Sequence, residues 1–82
     1  MYIAQVKDKI VRFLKEANSN CVIPDENEDL FSSFCHIAPR DLVYALLELS
    51  REYPINFNLI IEDIEVFSIN SLANAINAQI IT

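Results

Sequence analysis

Glycine is missing from this sequence, and its absence argues against several kinds of active site. Average usage of about 7% would give a chain of this length roughly six glycines. The P-loop and the GxGxxG dinucleotide fingerprint both need glycine where the backbone turns tightly or approaches a phosphate group. The composition therefore disfavours a nucleotide-dependent enzyme.

Long apolar runs and disulfide-rich spacing are missing too. No stretch approaches the roughly 20 apolar residues that cross a bilayer. Met1 is followed by an amphipathic pattern that differs from a signal peptide. Two cysteines, Cys21 and Cys35, are too few for the disulfide framework of a small secreted domain. We therefore expect a cytoplasmic protein that does not bind membranes, with both thiols reduced.

Positive charge is scarce beyond the first 16 residues. The net charge is −6, made up of +2 in residues 1–16 and −8 in residues 17–82. Nucleic-acid binding depends on clustered cations that neutralise phosphates, so we expect no nucleic-acid partner. Two interpretations of the acidic body stay open: it keeps a small protein in solution, or it forms an anionic face for a basic partner.

The residues that are present suffice for one folded domain. The chain has 82 residues and a mass of 9.4 kDa, and 52% of its residues are hydrophobic and 22% charged. Domains usually hold about 50 to 250 residues. This composition can fill a core, in contrast to the low hydrophobicity of disordered chains. We expect a single domain over residues 1–82.

Apolar spacing predicts the first helix and the long connection after it. Apolar residues recur at steps of three and four from Tyr2 to Ala17, which indicates an amphipathic helix ended by Asn18-Ser19-Asn20. From about Cys21 to Ala38 we expect a loop with a short turn near residues 28–33 and an exposed acidic run at 25–29. Its apolar anchors against the core are expected at Leu30, Phe31, Phe34 and Ile37.

The second half of the chain predicts three more helices. One begins at Pro39 and is stopped by Pro54, with a broad apolar face at Leu42, Val43, Leu46, Leu47, Leu49 and Tyr53. Residues 55–60 alternate like a strand but have no partner strand, so we predict an extended connector. A short helix follows over Ile61–Val66, with Ile61 and Ile64 inward. The last helix covers Ile69–Ile80 with Ser68 as its N-cap. The predicted fold class is all-α.

No residue pattern predicts a catalytic or metal centre. His36 is the single histidine and follows Cys35, and adjacent side chains seldom face each other. We therefore interpret Cys35 as a small buried residue and His36 as an exposed loop residue. Cys21, Cys35 and His36 lack the paired ligand spacing of a zinc site. Glu62 and Glu65 are expected on a solvated helix face. We expect no cofactor.

The helix order and the second half of the sequence resemble acyl carrier proteins. The central-helix pattern of the carriers is similar to Leu42–Ile55, which reads LVYALLELSREYPI. Their short third helix resembles Ile61-Glu62-Asp63-Ile64, and the start of their last helix resembles Phe67-Ser68-Ile69. The resemblance covers residues 39–80. It implies a small four-helix bundle with three main helices, one short helix and a long loop between helices 1 and 2.

The resemblance fails at the residue that defines a working carrier. Carriers have Asp-Ser-Leu at the start of the second helix, and this serine bears the phosphopantetheine arm. The matching positions here are Ala38, Pro39 and Arg40, and proline has no hydroxyl group. Ser32 and Ser33 are the alternative attachment sites, although a shift onto them would break the apolar register of the helix. Too few residues follow Ser71 for the later helices of a carrier, so we expect Ser71 in the first turn of the last helix.

A closer likeness is to the acyl carrier-related proteins of bacterial peptide maturation systems. It rests on Pro39-Arg40-Asp41-Leu42-Val43-Tyr44 together with the carrier-like tail. It implies a non-catalytic docking module whose partner is a peptide maturation enzyme or a precursor peptide. Because carriers meet their enzymes through the second helix and the loop before it, the implied docking residues are Arg40, Asp41, Tyr44, Glu48 and Arg51.

Two other hypotheses stay open. The first is a working acyl or peptidyl carrier with phosphopantetheine on the displaced Ser32 or Ser33, and the second is a helical structural or regulatory subunit without a link to peptide maturation. We expect a monomer, with a weak dimer if Phe31, Phe34 and Phe57 do not all fit in so small a core.

Overall fold

The computed structural model describes residues 2–80, and the side chains of all of these except Tyr2, Phe57 and Asp63. Over this range the chain forms four α-helices and no strand, which confirms the predicted all-α class. The helices are α1 (Tyr2–Ala17), α2 (Pro39–Glu52), α3 (Phe57–Asp63) and α4 (Ile69–Ile80), and Ser33–Cys35 form a 3-10 turn. None of the helices within 2–80 has the length and apolar character that a bilayer crossing requires.

α1 has the bounds that its periodicity predicts. It packs against α2 and α4, and its buried apolar residues are Val6, Ile10, Phe13 and Leu14. The polar turn ends the helix as expected. The Asn18 N–H donates to the Leu14 carbonyl at 2.9 Å, and the side-chain oxygen of Asn18 accepts a hydrogen bond from the Asn20 N–H at 3.1 Å.

Hydrogen bonds hold the connection between α1 and α2 against the start of α4. Leu30 is fully buried, and its N–H donates to the Phe67 carbonyl at 2.7 Å. The Glu26 carbonyl accepts from the Asn70 N–H at 2.8 Å, and the Glu26 carboxylate lies 3.2 Å from Lys7 Nζ. The buried Leu30 side chain and two backbone hydrogen bonds thus help to hold a segment with little regular structure of its own, in which Ile37 is buried as predicted.

Most expectations for this connection are confirmed, and one is wrong. Residues 25–29 are exposed, and the Ser32 N–H closes a turn by donating to the Asp29 carbonyl at 3.1 Å. Phe31 packs edge-on against Phe67, with 5.7 Å between the ring centroids. Phe34 is 51% exposed and is not an anchor, because the 3-10 turn points its neighbour Cys35 into the core. The side chain of Phe57, the third residue of the dimer hypothesis, lies outside the described side chains.

α2 begins at Pro39 and ends before Pro54, as predicted. Its buried residues pack mainly against α1, and the apolar ones are Leu42, Ala45, Leu46 and Leu49. At the end of the helix, Lys9 of α1 forms an ion pair with Glu52 and lies 5.3 Å from the ring centroid of Tyr53. The hydrogen bond with Glu52 raises the pKa of the Lys9 ammonium group.

α3 lies earlier in the chain than the sequence pattern predicts. Residues 57–60, predicted as part of an extended connector, are helical, and the helix ends at Asp63. Asn56 is the N-cap, because its side-chain oxygen accepts from the Asn58 N–H at 3.1 Å. Gln79 of α4 fixes Asn56 in place: the Asn56 N–H donates to Gln79 Oε1 at 2.6 Å, and Gln79 Nε2 donates to the Asn56 carbonyl at 3.1 Å. The cap and this tertiary contact override the strand-like alternation.

The shift of α3 also changes which isoleucine enters the core. Ile60 is buried, whereas Ile61, predicted to point inward, is exposed and Ile64 is half-buried. Glu62 and Glu65 are exposed as predicted. The side chain of Asp63, predicted to point outward, lies outside the described side chains.

α4 has the predicted bounds and cap. The Ser71 N–H donates to Ser68 Oγ at 3.1 Å, which satisfies one free donor of the first turn. The buried residues of the helix are Ile69, Leu72, Ala73 and Ile76, and Ile80 at its end is half-buried. Packing of α4 against α1 completes a core shared by the helices and the α1–α2 connection.

Candidate functional site

The side of α2 that points away from the core carries a stripe of apolar residues between two arginines. We call Arg40, Val43, Tyr44, Leu47 and Arg51 the outer face of α2. These positions are separated by three, four or seven residues along most of the stripe, so their side chains lie next to one another on the helix surface. Val43 is 42% exposed, Tyr44 38% and Leu47 45%. The stripe therefore presents apolar surface to solvent.

Val43 and Leu47 are a correction to the predicted apolar face of this helix. The sequence pattern assigns both to the broad core-facing surface, but the structure leaves them exposed. A helix buries a stripe, and the buried stripe of α2 is already formed by Leu42, Leu46 and Leu49. The unusual width of the apolar pattern was the signal that α2 has a second apolar surface.

The two arginines at the ends of the outer face remain largely in solvent. The Arg40 side chain is 90% exposed, and its Nε lies 4.0 Å from Asp41 Oδ1. The Arg51 side chain is 78% exposed and pairs with Glu48, one turn earlier, at 3.4 Å. Exposed ion pairs of this kind contribute little to stability. The guanidinium groups keep free donors for another molecule, since each arginine has five N–H groups.

Asp41 does not join the outer face, in contrast to its predicted docking position. Its side chain is buried, and Oδ2 accepts a hydrogen bond from the Ala38 N–H at 2.9 Å. Asn18 Nδ2 lies 3.4 Å from the same oxygen. This is half of a capping box, in which a side chain in the first turn satisfies the N-cap N–H; Ala38 has no side-chain oxygen to complete the other half. The carboxylate is thus engaged in starting α2. Glu48 is half-buried beside Arg51.

An apolar cavity of about 220 Å³ opens beside the start of α2. Every residue that lines it has an apolar side chain: Phe31, Pro39, Leu42, Val43, Leu46, Ile61 and Phe67. Val43 belongs both to this cavity and to the outer face, so the two surfaces are continuous. Sequence reasoning missed the cavity because its walls come from four parts of the chain: the α1–α2 connection, α2, α3 and the segment before α4.

The three serines considered for cargo attachment lie in different surroundings. Ser33 is exposed at the start of the 3-10 turn, whereas Ser32 is half-buried. Ser71 is half-buried in the first turn of α4, where its hydroxyl lies 3.0 Å from Ser68 Oγ. Pro39 is the first residue of α2 and is exposed.

Cys21 and Cys35 are free, buried thiols, and His36 is exposed. Burial raises the pKa of both thiols, and the nearby carboxylates of Glu28 and Asp29 raise that of Cys35 further. A raised pKa keeps a thiol protonated and unreactive. His36 adopts a left-handed backbone conformation with φ of 57° at the end of the 3-10 turn. Within the described residues, His, Cys, Asp and Glu side chains form no group of three or more that could hold a metal ion.

No protein-family model, no curated protein and no solved structure matches this chain. The function of the site therefore has to be inferred from the geometry of the outer face of α2 and of the adjoining cavity.

Proposed function

We propose that this chain is a carrier-like helical adaptor that docks to other proteins through the outer face of α2 and carries no covalent cargo. The observation that carries this proposal is the exposed Val43, Tyr44 and Leu47 stripe between two solvent-exposed arginines. Tyrosine and arginine are enriched at the residues that dominate binding energy in protein interfaces. Folding alone gives no reason for this stripe, because none of its side chains fills the core.

The helix layout supports the carrier-like part of the proposal. The order is a long α1, an extended connection, α2, a short α3 and α4, which is the order that the sequence resemblance implies. Pro39 at the first position of α2 supports an adaptor that is not loaded, since the residue in that position offers no hydroxyl. We propose a peptide maturation enzyme or a precursor peptide as the partner.

A working carrier is the second candidate, and the exposure of Ser33 favours it over an attachment at Ser32. The discriminating measurement is the intact mass of the protein before and after incubation with a broad-specificity phosphopantetheinyl transferase and coenzyme A. We expect an unchanged mass, with a known carrier protein in the same reaction as the positive control. A phosphopantetheine adduct that disappears in Ser33→Ala would overturn the unloaded adaptor and establish a displaced attachment site.

Docking through the outer face is tested by Tyr44→Ala. The partners to test are a peptide maturation enzyme and a precursor peptide, each purified and titrated separately by calorimetry. We expect Tyr44→Ala to weaken binding about tenfold or more, because truncating an aromatic residue that dominates an interface costs about 2 kcal/mol or more and tenfold in affinity is about 1.4 kcal/mol. The matched control is Phe34→Ala, which removes an even more exposed aromatic ring from the 3-10 turn outside α2. Equal affinities of Tyr44→Ala and the unaltered protein would remove the outer face as the docking surface.

A further inference from the structure

We propose that the cavity beside α2 receives one aromatic side chain from an acidic segment of the partner, which lies along the outer face of α2. This inference rests on the proposed docking function and adds the chemistry of the partner to it. Three observations support the inference: the size of the cavity, the absence of polar groups in the cavity wall, and the positive charge at both ends of the adjoining stripe.

The cavity has the size of a single side chain. Its volume of about 220 Å³ is below the range of roughly 300 to 1,000 Å³ typical of sites for cofactors and drug-sized ligands. Apolar cavities of roughly 150 Å³ admit a benzene molecule, so one aromatic ring fits here. The wall offers no charged or polar side chain that could hold the head group of a metabolite. An apolar group that is attached to something outside the cavity matches both features.

The cavity continues into the outer face through α2 itself. Pro39 lines the cavity and Arg40 follows it, and Val43 belongs to both surfaces. A segment that inserts a side chain between Val43 and Ile61 would therefore continue over Tyr44 and Leu47. Both Val43 and Ile61 are partly open to solvent, which leaves the mouth of the cavity accessible.

Charge complementarity specifies an acidic segment. The chain as a whole carries −6, yet the two charged residues at the ends of this stripe are the cations Arg40 and Arg51. The nearest carboxylate to Arg40 is buried and engaged with the Ala38 N–H. Glu48 partly neutralises the charge of Arg51, so Arg40 should attract an acidic segment more strongly than Arg51 does. Acidic residues of the partner on either side of the inserted ring would pair with these guanidinium groups, and basic ones would be repelled.

The test uses synthetic peptides and calorimetry. The first peptide carries one phenylalanine flanked by glutamates, the second replaces phenylalanine with alanine, and the third replaces the glutamates with lysines. We expect the alanine peptide to bind about 10- to 100-fold more weakly than the first, which is the effect of withdrawing one buried aromatic side chain. The lysine peptide is expected to show no measurable binding. Arg40→Gln should weaken binding of the first peptide and reduce the salt dependence of that affinity.

A protein variant separates the cavity from the stripe. Ile61→Phe fills the cavity without changing the outer face, and it should bind the phenylalanine and alanine peptides equally. The matched control is Leu59→Phe, an exposed residue of α3 that does not line the cavity, and it should keep the difference between the peptides. If Ile61→Phe does not fold, toluene titrated into the unaltered protein tests whether the cavity admits an aromatic ring. The NMR signals of the Val43 and Ile61 methyl groups should then shift with toluene concentration until the shift reaches a plateau.

The outcomes distinguish this inference from the docking function. Equal binding of the phenylalanine and alanine peptides would reject the aromatic side chain, and the adaptor would stand if Tyr44→Ala still weakened the natural partner. Toluene binding with no difference between the peptides would assign the cavity to a free apolar ligand and also reject the inference. Sedimentation that showed a dimer, lost in Leu47→Glu, would assign the outer face to a second copy of the chain and overturn it.

Discussion

α2 carries large aliphatic side chains on two faces, and within the part of the chain that the structure describes only one of them is covered. Leu46 is 1% exposed, whereas the next residue, Leu47, is 45% exposed. Burial of a leucine side chain stabilises a fold by about 1.5 to 3 kcal/mol, and an exposed one contributes little. Single exposed leucines are common on protein surfaces. The outer face differs because three apolar side chains adjoin one another and an apolar cavity, and such continuous surface indicates binding.

The comparison teaches that composition alone cannot assign an apolar residue to the core. Leu46 and Leu47 have the same side chain and lie on the same helix, so their different roles come from the helical rotation of about 100° between neighbours. The inner face is accounted for by folding. The outer face is not accounted for by folding, so we assign it to partner binding. Substitutions on this face should therefore change stability little.

The largest expected effect separates the two leucines directly. Leu46→Ala should lower the free energy of unfolding by about 2 to 5 kcal/mol, because it leaves a cavity in a packed core. Leu47→Ala should change it by about 0.5 kcal/mol or less, because Leu47 is 45% exposed and alanine favours the helix. Urea unfolding followed by circular dichroism gives both values. Similar losses for the two variants would mean that the outer face also supports the fold, and the case for docking there would lose its basis.

The sequence predicted the parts of the fold that depend on local signals. α1 and α4 follow from apolar spacing and from caps at Asn18 and Ser68, which act within a few residues. α3 was placed too late because the contact that fixes its start joins Asn56 to Gln79, and the spacing of apolar residues carries no trace of it. Non-local contacts of this kind override short apolar patterns.

The candidate site was predictable only in part, for a related reason. Arg40, Tyr44 and Arg51 lie on the exposed surface, where helical rotation places them. The cavity was hidden because Phe31, Ile61 and Phe67 reach it from segments outside α2. Asp41 was expected on the surface because charged residues are usually exposed, but the structure buries its side chain. The local signal that could have corrected this is an aspartate three positions after an N-cap that has no side-chain acceptor.

The second prediction compares Asp41 with its neighbour Arg40 and gives a smaller effect. Asp41→Ala should lower the free energy of unfolding by about 1 kcal/mol, the usual contribution of a cap at a helix N-terminus. The loss has two sources, since the Ala38 N–H keeps no acceptor and the start of α2 loses a negative charge next to the positive end of the helix dipole. Arg40→Ala, at a 90% exposed position, should stay within about 0.5 kcal/mol of the unaltered protein.

Binding measurements on Arg40→Ala, Asp41→Ala and a third variant, Asp41→Asn, complete the comparison at the start of α2. Arg40→Ala should weaken partner binding while the fold stays intact, and Asp41→Asn, which keeps a side-chain acceptor, should recover part of the lost stability and bind normally. The reverse pattern, in which Asp41→Ala folds as stably as the unaltered protein but loses its partner, would return Asp41 to the docking surface. Adjacent residues would then share one role, and the division of α2 into a face for folding and a face for binding would not hold at its first turn.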